Sequence, residues 1–322
     1  MVSGLSGTGN GRKHGNVPLI VWIDWFDIRV GFFTWEGIRC GGKNLSLQAE
    51  GRKRSVSFTF IYMTDMDQAS KRIEDFDFSL IADFFRRLDR QGPGSDEATR
   101  RALMLTGELP AGARIADIGC GTGAQTLVLA RETFGRIAAV DLLPEMLDGL
   151  RRRMDRAGFG SRVEAVRASM DDLPFSAGEF DLIWAEGSVY NIGYRRGLEY
   201  WRRFLKPGGC VALTEVSWLS SRRPAEIEAY WRRNYAETDT VAAKIAQMEQ
   251  AGFRAEAHFV LPDECWTEHY YEPMAAALDS FEKEFAAFPA AREFVARQRE
   301  EIALYREYGY CYGYVFYIGR KM

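Results

Sequence analysis

The sequence predicts an α/β fold built on a doubly wound, mostly parallel sheet, and three observations lead there. From about residue 110 onward, short apolar runs alternate with amphipathic stretches. A glycine-rich turn falls where one apolar run ends and a helical stretch begins. The composition, 47% hydrophobic and 27% charged over 322 residues, is that of a chain able to bury a substantial core without disulfides or a structural metal.

The elements follow in order. Ile73, Phe76, Leu80, Ile81, Phe84, Phe85 and Leu88 recur at helical spacing until Gln91-Gly92-Pro93-Gly94 breaks the helix. Ser95, followed by Asp96 and Glu97, caps a second helix running toward Gly107. Strands are predicted at 114–118, 136–140, 163–166, 181–185 and 210–215, with helices at 124–134 and 144–157. Pro144 suits a first turn and Gly158 a helix end. Beyond residue 220 come helices at 225–233 and 241–251, a strand at 255–260 and a final strand at 312–318. About fifty residues separate those last two strands, and 274–288 and 290–305 within them have helical spacing. A helical insertion at the carboxyl edge of a sheet is expected to act as a lid.

Residues 1–65 read as a leader, and 66–322 as the main domain, with helical cap elements at 66–107 and 261–310. The first 62 residues carry 8 Lys+Arg against 4 Asp+Glu and 10 of the 31 glycines. They read either as a basic partner-binding arm or as an extension upstream of a start at Met63 or Met66.

A formal charge of -3 gives no general attraction to nucleic acid or acidic lipid. Cys40, Cys120, Cys210, Cys265 and Cys311 are odd in number, widely spaced and never in a CxxC pair, so a reducing cytoplasm is the expected location. The apolar stretch 17–38 contains Asp24, Asp27, Arg29 and Glu36, which argues against a membrane span.

The strongest local signal is Ile115-Ala116-Asp117-Ile118-Gly119-Cys120-Gly121-Thr122-Gly123-Ala124. Glycines at alternate positions let backbone N–H groups and a helix N-terminus approach a ligand. Gly119, Gly121 and Ala124 also satisfy a dinucleotide pattern, so the loop alone fits a nicotinamide cofactor and S-adenosylmethionine equally. Asp141, 22 residues after Gly119, can accept the ribose hydroxyls of either. Asp117 adds a second carboxylate at the loop, which favours a cofactor bearing an ammonium and a sulfonium over one bearing a pyrophosphate.

Here the sequence resembles the class I S-adenosylmethionine-dependent methyltransferases, in particular the branch of ubiquinone and menaquinone C-methyltransferases. The resemblance spans about residues 110–218. It rests on the glycine loop, on Ala139-Val140-Asp141-Leu142, on Ser169-Met170-Asp171-Asp172-Leu173-Pro174-Phe175, on Phe180-Asp181-Leu182-Ile183-Trp184, and on Leu205-Lys206-Pro207-Gly208-Gly209. It implies a seven-stranded Rossmann-like sheet and S-adenosylmethionine as cofactor. Gly119, Cys120, Gly121 and Gly123 would then line the methionine end of the cofactor, with Asp117 near its ammonium. Asp141 and Leu142 would lie at the ribose, Met170 and Asp171 would flank the adenine, and Glu186 would sit at the cofactor edge. Ser169 stands where many relatives carry an Asp toward the adenine amine.

Methyl transfer from such a donor is an in-line displacement that needs alignment and exclusion of water, and no covalent nucleophile. A base is needed only for an acceptor protonated at working pH. The acceptor site is expected above the carboxyl ends of the strands. Tyr190, Glu215 and His269 are the candidate catalytic groups, and Gln91, Trp184, Asn191, Trp218 and Trp266 the candidate acceptor contacts. Aromatic residues gather there, including Tyr270, Tyr271, Tyr308, Tyr310, Tyr312 and Tyr314, a wall suited to a flat or apolar acceptor or to a cationic amine. Tyr312, Tyr314 and His258 read as core. The run Glu264 to His269 matches no metal-ligand spacing, so no metal site is expected. A small-molecule acceptor is the expected partner, with the protein a monomer or homodimer. A non-catalytic S-adenosylmethionine binder and a nicotinamide oxidoreductase are the alternatives.

Overall fold

Apolar runs flanked by helical stretches close here into one mixed sheet with helices on both faces. The structure, a computed structural model, describes residues 80–322; the expected leader and the expected helical spacing from Ile73 to Phe76 lie outside the described residues. After a helical stretch at 80–85 come α1 (Asp96–Leu105), β1 (Arg114–Ile118), α2 (Ala124–Glu132), β2 (Arg136–Asp141), α3 (Pro144–Ala157), β3 (Val163–Arg167) and β4 (Phe180–Ala185). The chain continues through α4 (Tyr194–Trp201), β5 (Leu205–Trp218), α5 (Ala225–Asn234), β6 (Asp239–Thr240), α6 (Val241–Gln250) and β7 (Phe253–Val260). A π-helical turn (Thr267–Tyr271), α7 (Glu272–Glu284), α8 (Pro289–Tyr308) and β8 (Tyr312–Lys321) complete it.

The strand order is β3-β2-β1-β4-β5-β8-β7, with β8 antiparallel to both neighbours and β6 pairing with β5 off this path. The sheet thus has eight strands where seven were expected, because the two-residue β6 is too short to leave a periodic trace. The order reverses between β1 and β4, and the crevice at such a switch point is where open α/β sheets bind ligands. β1 and β4 are flanked by parallel neighbours and are almost continuously buried, as central parallel strands must be.

Local chemistry sets the helix ends. Ser95 Oγ accepts the Ala98 amide, Thr240 Oγ1 accepts the Ala243 amide, Pro144 opens α3, and Gly158 ends it at φ +78°. One face of the sheet packs α4 and α6 through Tyr194, Leu198, Trp201 and Met248. The other packs α1, α2, α5, α7 and α8. The insertion helices do not stand off the sheet. Phe281 and Phe294 lie 5.1 and 5.2 Å from Phe84 ring to ring, and Arg87 pairs with Glu284 at 2.8 Å, so the residues around Phe84 and the insertion form one layer.

Two expectations are corrected. His258 is exposed rather than packed, because β7 is an edge strand whose alternate residues face outward. The fifth strand begins at Leu205, so the Lys206-Pro207-Gly208-Gly209 turn lies inside it as an irregularity in the β4–β5 pairing. Among the described residues no helix is long and apolar enough to cross a membrane.

Candidate functional site

β1 ends at Ile118, and the backbone then folds back under β2: the Gly119 and Cys120 amides donate to Val140 O at 2.8 and 2.9 Å. Gly119, Gly121 and Gly123 take φ of +76°, +53° and +83°, a region that L side chains rarely adopt. The space they leave is taken up closely by neighbours. A β-carbon on Gly119 would lie 2.3 Å from Ser188 Cβ, and one on Gly121 would lie 2.3 Å from Gln91 Oε1. Gln91 is the strap over this loop: its Oε1 accepts the Thr122 amide at 2.9 Å while its Nε2 donates to Leu88 O at 2.8 Å. Ser188 holds the other side by donating to Ile118 O at 2.7 Å.

Asp141 ends β2 against the same loop. Its two carboxylate oxygens accept the Gly121 and Leu143 amides at 2.9 and 3.0 Å, and burial raises its pKa against those bonds. Next to it Leu142 is an apolar side chain left 41% exposed. Met170 reaches the loop from β3's end, its Cε 3.6 Å from where a Gly119 β-carbon would stand. Asp171 is turned aside, bonded to Ser169 Oγ at 2.5 Å and to Arg196 at 3.1 Å. Cys120 is buried with Leu147 and Leu150 beneath α3, so its thiol is turned into the core, and burial pushes that thiol well up.

Asp117 is fully buried and receives Thr126 Oγ1 at 2.5 Å and Gln125 Nε2 at 3.3 Å from the first turn of α2. Those bonds aim it at the helix start. Glu186, expected at the cofactor edge, is an interior clamp: Trp184 Nε1, Thr99 Oγ1 and Arg90 Nη1 donate to it at 2.9, 2.7 and 3.3 Å, tying the end of β4 to α1 and to the strap. Burial raises its pKa while Arg90 opposes the shift. Trp184 itself is in the core, 0% exposed and 5.3 Å from Phe316, which corrects its assignment as an acceptor contact.

Parity along β5 decides Glu215. It shares a face with Leu213 and Ser217, toward α6, whereas Ala212 and Val216 face the aromatic layer. Its carboxylate meets Lys244 Nζ at 2.7 Å, both groups essentially without exposure. This places Glu215 in a buried ion pair with Lys244, its Oε2 without a hydrogen-bond partner among the described residues. Tyr190 is half-buried after β4, its ring 6.2 Å from that of Tyr235, and Asn191 donates back to Ser188 O at 2.9 Å. Trp218 is half-buried with the Arg223 guanidinium 4.8 Å over its ring. Trp266 is buried and stacks on Tyr305 at 4.6 Å, and its indole N–H has no acceptor among the described residues. His269 is exposed on the π-helical turn. Among the described residues no three His, Cys, Asp or Glu side chains are grouped to hold a metal.

The sequence profile of a family described as methyltransferase domain matches residues 115–209, the stretch that carries β1, the glycine loop, Asp141 and β4. Residues 115–209 thus match a methyltransferase domain. It is 28% identical over 165 residues to a dimethylglycine N-methyltransferase of Parasynechococcus marenigrum, covering 50% of this chain and 58% of that protein. It is 37% identical over 125 residues to a demethylmenaquinone methyltransferase of Clavibacter sepedonicus, covering 38% and 49%. The chain thus spans about half the length of these curated relatives. The methyltransferase fold also matches a methyltransferase of Geobacter sulfurreducens solved with S-adenosylhomocysteine, at a TM-score of 0.66 and 16% identity over 76% of this chain and 98% of that one.

Within the methyltransferase domain Asp117 has a measurable signature. Burial, with further charge from Glu186 and Asp141, raises its pKa from 3.8 to about 7, against the bonds from Thr126 and Gln125. A carboxyl whose folded pKa is raised stabilises the fold most below its unfolded pKa, and that stability is lost as pH climbs through the folded value. Between about pH 4 and pH 7 the wild type is therefore expected to lose stability relative to Asp117→Asn, at up to about 1.4 kcal/mol per pH unit. Urea unfolding of both proteins across that range checks it, and parallel curves would disprove the raised value.

The residues that sequence reading missed hold the others. Ser188, Arg90, Thr99 and Lys244 meet the glycine loop, Glu186 and Glu215 across long stretches of chain. Arg90 adjoins Gln91-Gly92-Pro93-Gly94, Thr99 follows the Ser95 cap and Ser188 lies between Glu186 and Tyr190, whereas Lys244 sits in a helix with no motif beside it.

Proposed function

We propose that this protein transfers a methyl group from S-adenosylmethionine to a small-molecule acceptor, with residues 66–322 forming one domain and the strap and insertion capping it. The observation that carries the reading is the pairing of a positive-φ glycine loop with a ribose-type carboxylate at the adjacent strand end, Asp141, whose oxygens already organise that loop. The cofactor supplies a methyl activated by its positive sulfur. Gly119, Gly121 and Gly123 line its methionine end, and Asp117, committed to Gln125 and Thr126, favours the ammonium through its charge or a bridging water. Asp141 takes the ribose hydroxyls, and exposed Leu142 with Met170 bounds the adenine. Tyr190, Asn191 and Trp218 lie toward the acceptor. The relatives named above act on an amine and on a quinone precursor, so the acceptor class rests on this chain's own residues.

Calorimetric titration with S-adenosylhomocysteine and with NADH tests the reading. S-adenosylhomocysteine should bind and NADH should not. Asp141→Ala should weaken binding by about 100-fold, since each hydrogen bond to a charged group contributes roughly 1.5–3 kcal/mol. Preference for NADH would overturn the reading. Tight binding with no labelled methyl transfer to any acceptor would leave a cofactor-binding protein instead.

A further inference from the structure

Beside the carboxyl end of β5, where Tyr312 pairs with Trp218, three buried polar atoms have no hydrogen-bond partner among the described residues. They are the indole nitrogens of Trp231 and Trp266 and the hydroxyl of Tyr312. All three belong to one aromatic cluster, since the Tyr312 ring lies 5.1 Å from Trp231 and 6.3 Å from Trp266. A buried donor left unpaired costs free energy that it recovers on meeting an acceptor atom. An indole N–H only donates, so whatever satisfies Trp231 and Trp266 must present a lone pair.

The cluster adjoins the cofactor half. The Trp266 ring is 4.9 Å from that of Tyr314, and a β-carbon on Gly187 would lie 3.4 Å from the same tyrosine. Ser188, the next residue, packs on Gly119. The strap reaches the same place, because the Gly94 amide donates at 3.2 Å to the carbonyl of Cys265, one residue before Trp266. The charge beside the Trp266 indole is negative. Tyr305, stacked on it at 4.6 Å, donates to Asp263 at 2.8 Å, and Tyr271, 5.8 Å away, donates to Glu301 at 2.9 Å. Two carboxylates there repel an anionic ligand, which leaves a neutral oxygen as the partner for these donors. The three atoms are closed off from solvent, so that oxygen arrives when the turn following Trp266 shifts. That turn, Thr267–Tyr271, is π-helical, a form frequent at functional sites.

We propose that Trp231, Trp266 and Tyr312 hold an uncharged oxygen of the methyl acceptor, which makes the acceptor an apolar molecule bearing a ketone, ester or ether group. The inference rests on the methyl-transfer reading of the same crevice and names its substrate class. The oxygen so held anchors the acceptor and is not the atom that is methylated. The rings supply the apolar walls, and the unpaired donors select the oxygen-bearing molecule over a hydrocarbon of the same shape.

The test titrates the full chain, with and without saturating S-adenosylhomocysteine, with two probes of the same shape. Acetophenone carries a carbonyl oxygen where 2-phenylpropene carries a methylene. Acetophenone should bind at least about tenfold more tightly, although it is the less hydrophobic of the two, as expected from two neutral hydrogen bonds. Trp266→Phe should remove most of that preference. Tyr312→Phe should narrow it while raising Tm by about 2–4 °C, because it deletes an unpaired buried hydroxyl. Preference for the hydrocarbon, equal binding, no binding of either probe, an unchanged preference in Trp266→Phe or a lowered Tm in Tyr312→Phe would each overturn the proposal. The probe comparison on the wild type stands even if a variant folds poorly. A protein that prefers acetophenone but takes no S-adenosylhomocysteine would sink the methyl-transfer reading alone.

Discussion

Gly119→Ala is expected to lower S-adenosylhomocysteine affinity by more than about 100-fold, a loss near 3 kcal/mol. Two effects combine. At φ +76° any L side chain is strained, at about 1–2 kcal/mol. The added methyl would also lie 2.3 Å from Ser188 Cβ, and Ser188 cannot swing away freely because its hydroxyl is bonded to Ile118 O at 2.7 Å. Either the loop after β4 or the glycine loop must move, and both border the cofactor crevice. Gly158→Ala separates the two effects, since Gly158 has φ +78° with nothing within 4 Å of its β-carbon position. That variant should lose only the conformational part, roughly 2–4 °C in Tm for about 1 kcal/mol, and bind normally. Adding Ser188→Gly to Gly119→Ala should restore part of the binding. Equal binding by Gly119→Ala and wild type would show that the loop does not hold the cofactor.

The second large effect is on stability. Lys244→Met should destabilise the fold by about 3–5 kcal/mol, roughly 10 °C in Tm, because it strands the buried Glu215 carboxylate. Lys244 Nζ lies 2.7 Å from Glu215 and 4.7 and 5.5 Å from the Tyr194 and Tyr235 ring centres, with no exposure on either charged side chain. The same charge next to apolar groups in both partners is not needed for the fold. Lys244→Met with Glu215→Leu should recover most of the loss, since a well-packed apolar pair replaces an ion pair at little cost. The sign with pH is fixed by Glu215, whose pKa burial already raises and Lys244 opposes. Without the lysine its folded pKa rises further, so the deficit of Lys244→Met should shrink toward acid pH and grow toward alkaline pH. A deficit that ignores pH, measured by thermal unfolding, would mean that lost packing and not charge is responsible.

The fold and the meeting of the glycine loop with Asp141 were legible for a local reason. Asp117 to Gly123 lie within one turn, and Asp141 ends the neighbouring strand, so their meeting follows from a single β–α–β unit. Periodicity likewise exposed β1, β2, β4 and the insertion helices, all long enough to show a repeat. The acceptor half was legible only as composition. Tyr190, Tyr270 and Tyr314 could be seen as aromatic residues, yet nothing local said that Trp184 lies beneath the sheet's aromatic layer or that Glu215 points to its other face.

What the sequence by itself determined is therefore the βα alternation, the glycine loop with its two carboxylates, and through them the resemblance to a methyltransferase domain that residues 115–209 match. Each of these depends on hydrogen bonds and backbone angles between residues close in the chain. What only the tertiary structure decided is which carboxylates are neutralised. Glu186 finds Arg90 across 96 positions, Glu215 finds Lys244 across 29, and among the described residues Glu301 finds Tyr271 across 30 and no basic partner. Charge pairing in an interior depends on which side chains the packing of whole helices and strands brings within a few ångströms, and no spacing along the chain encodes that distance.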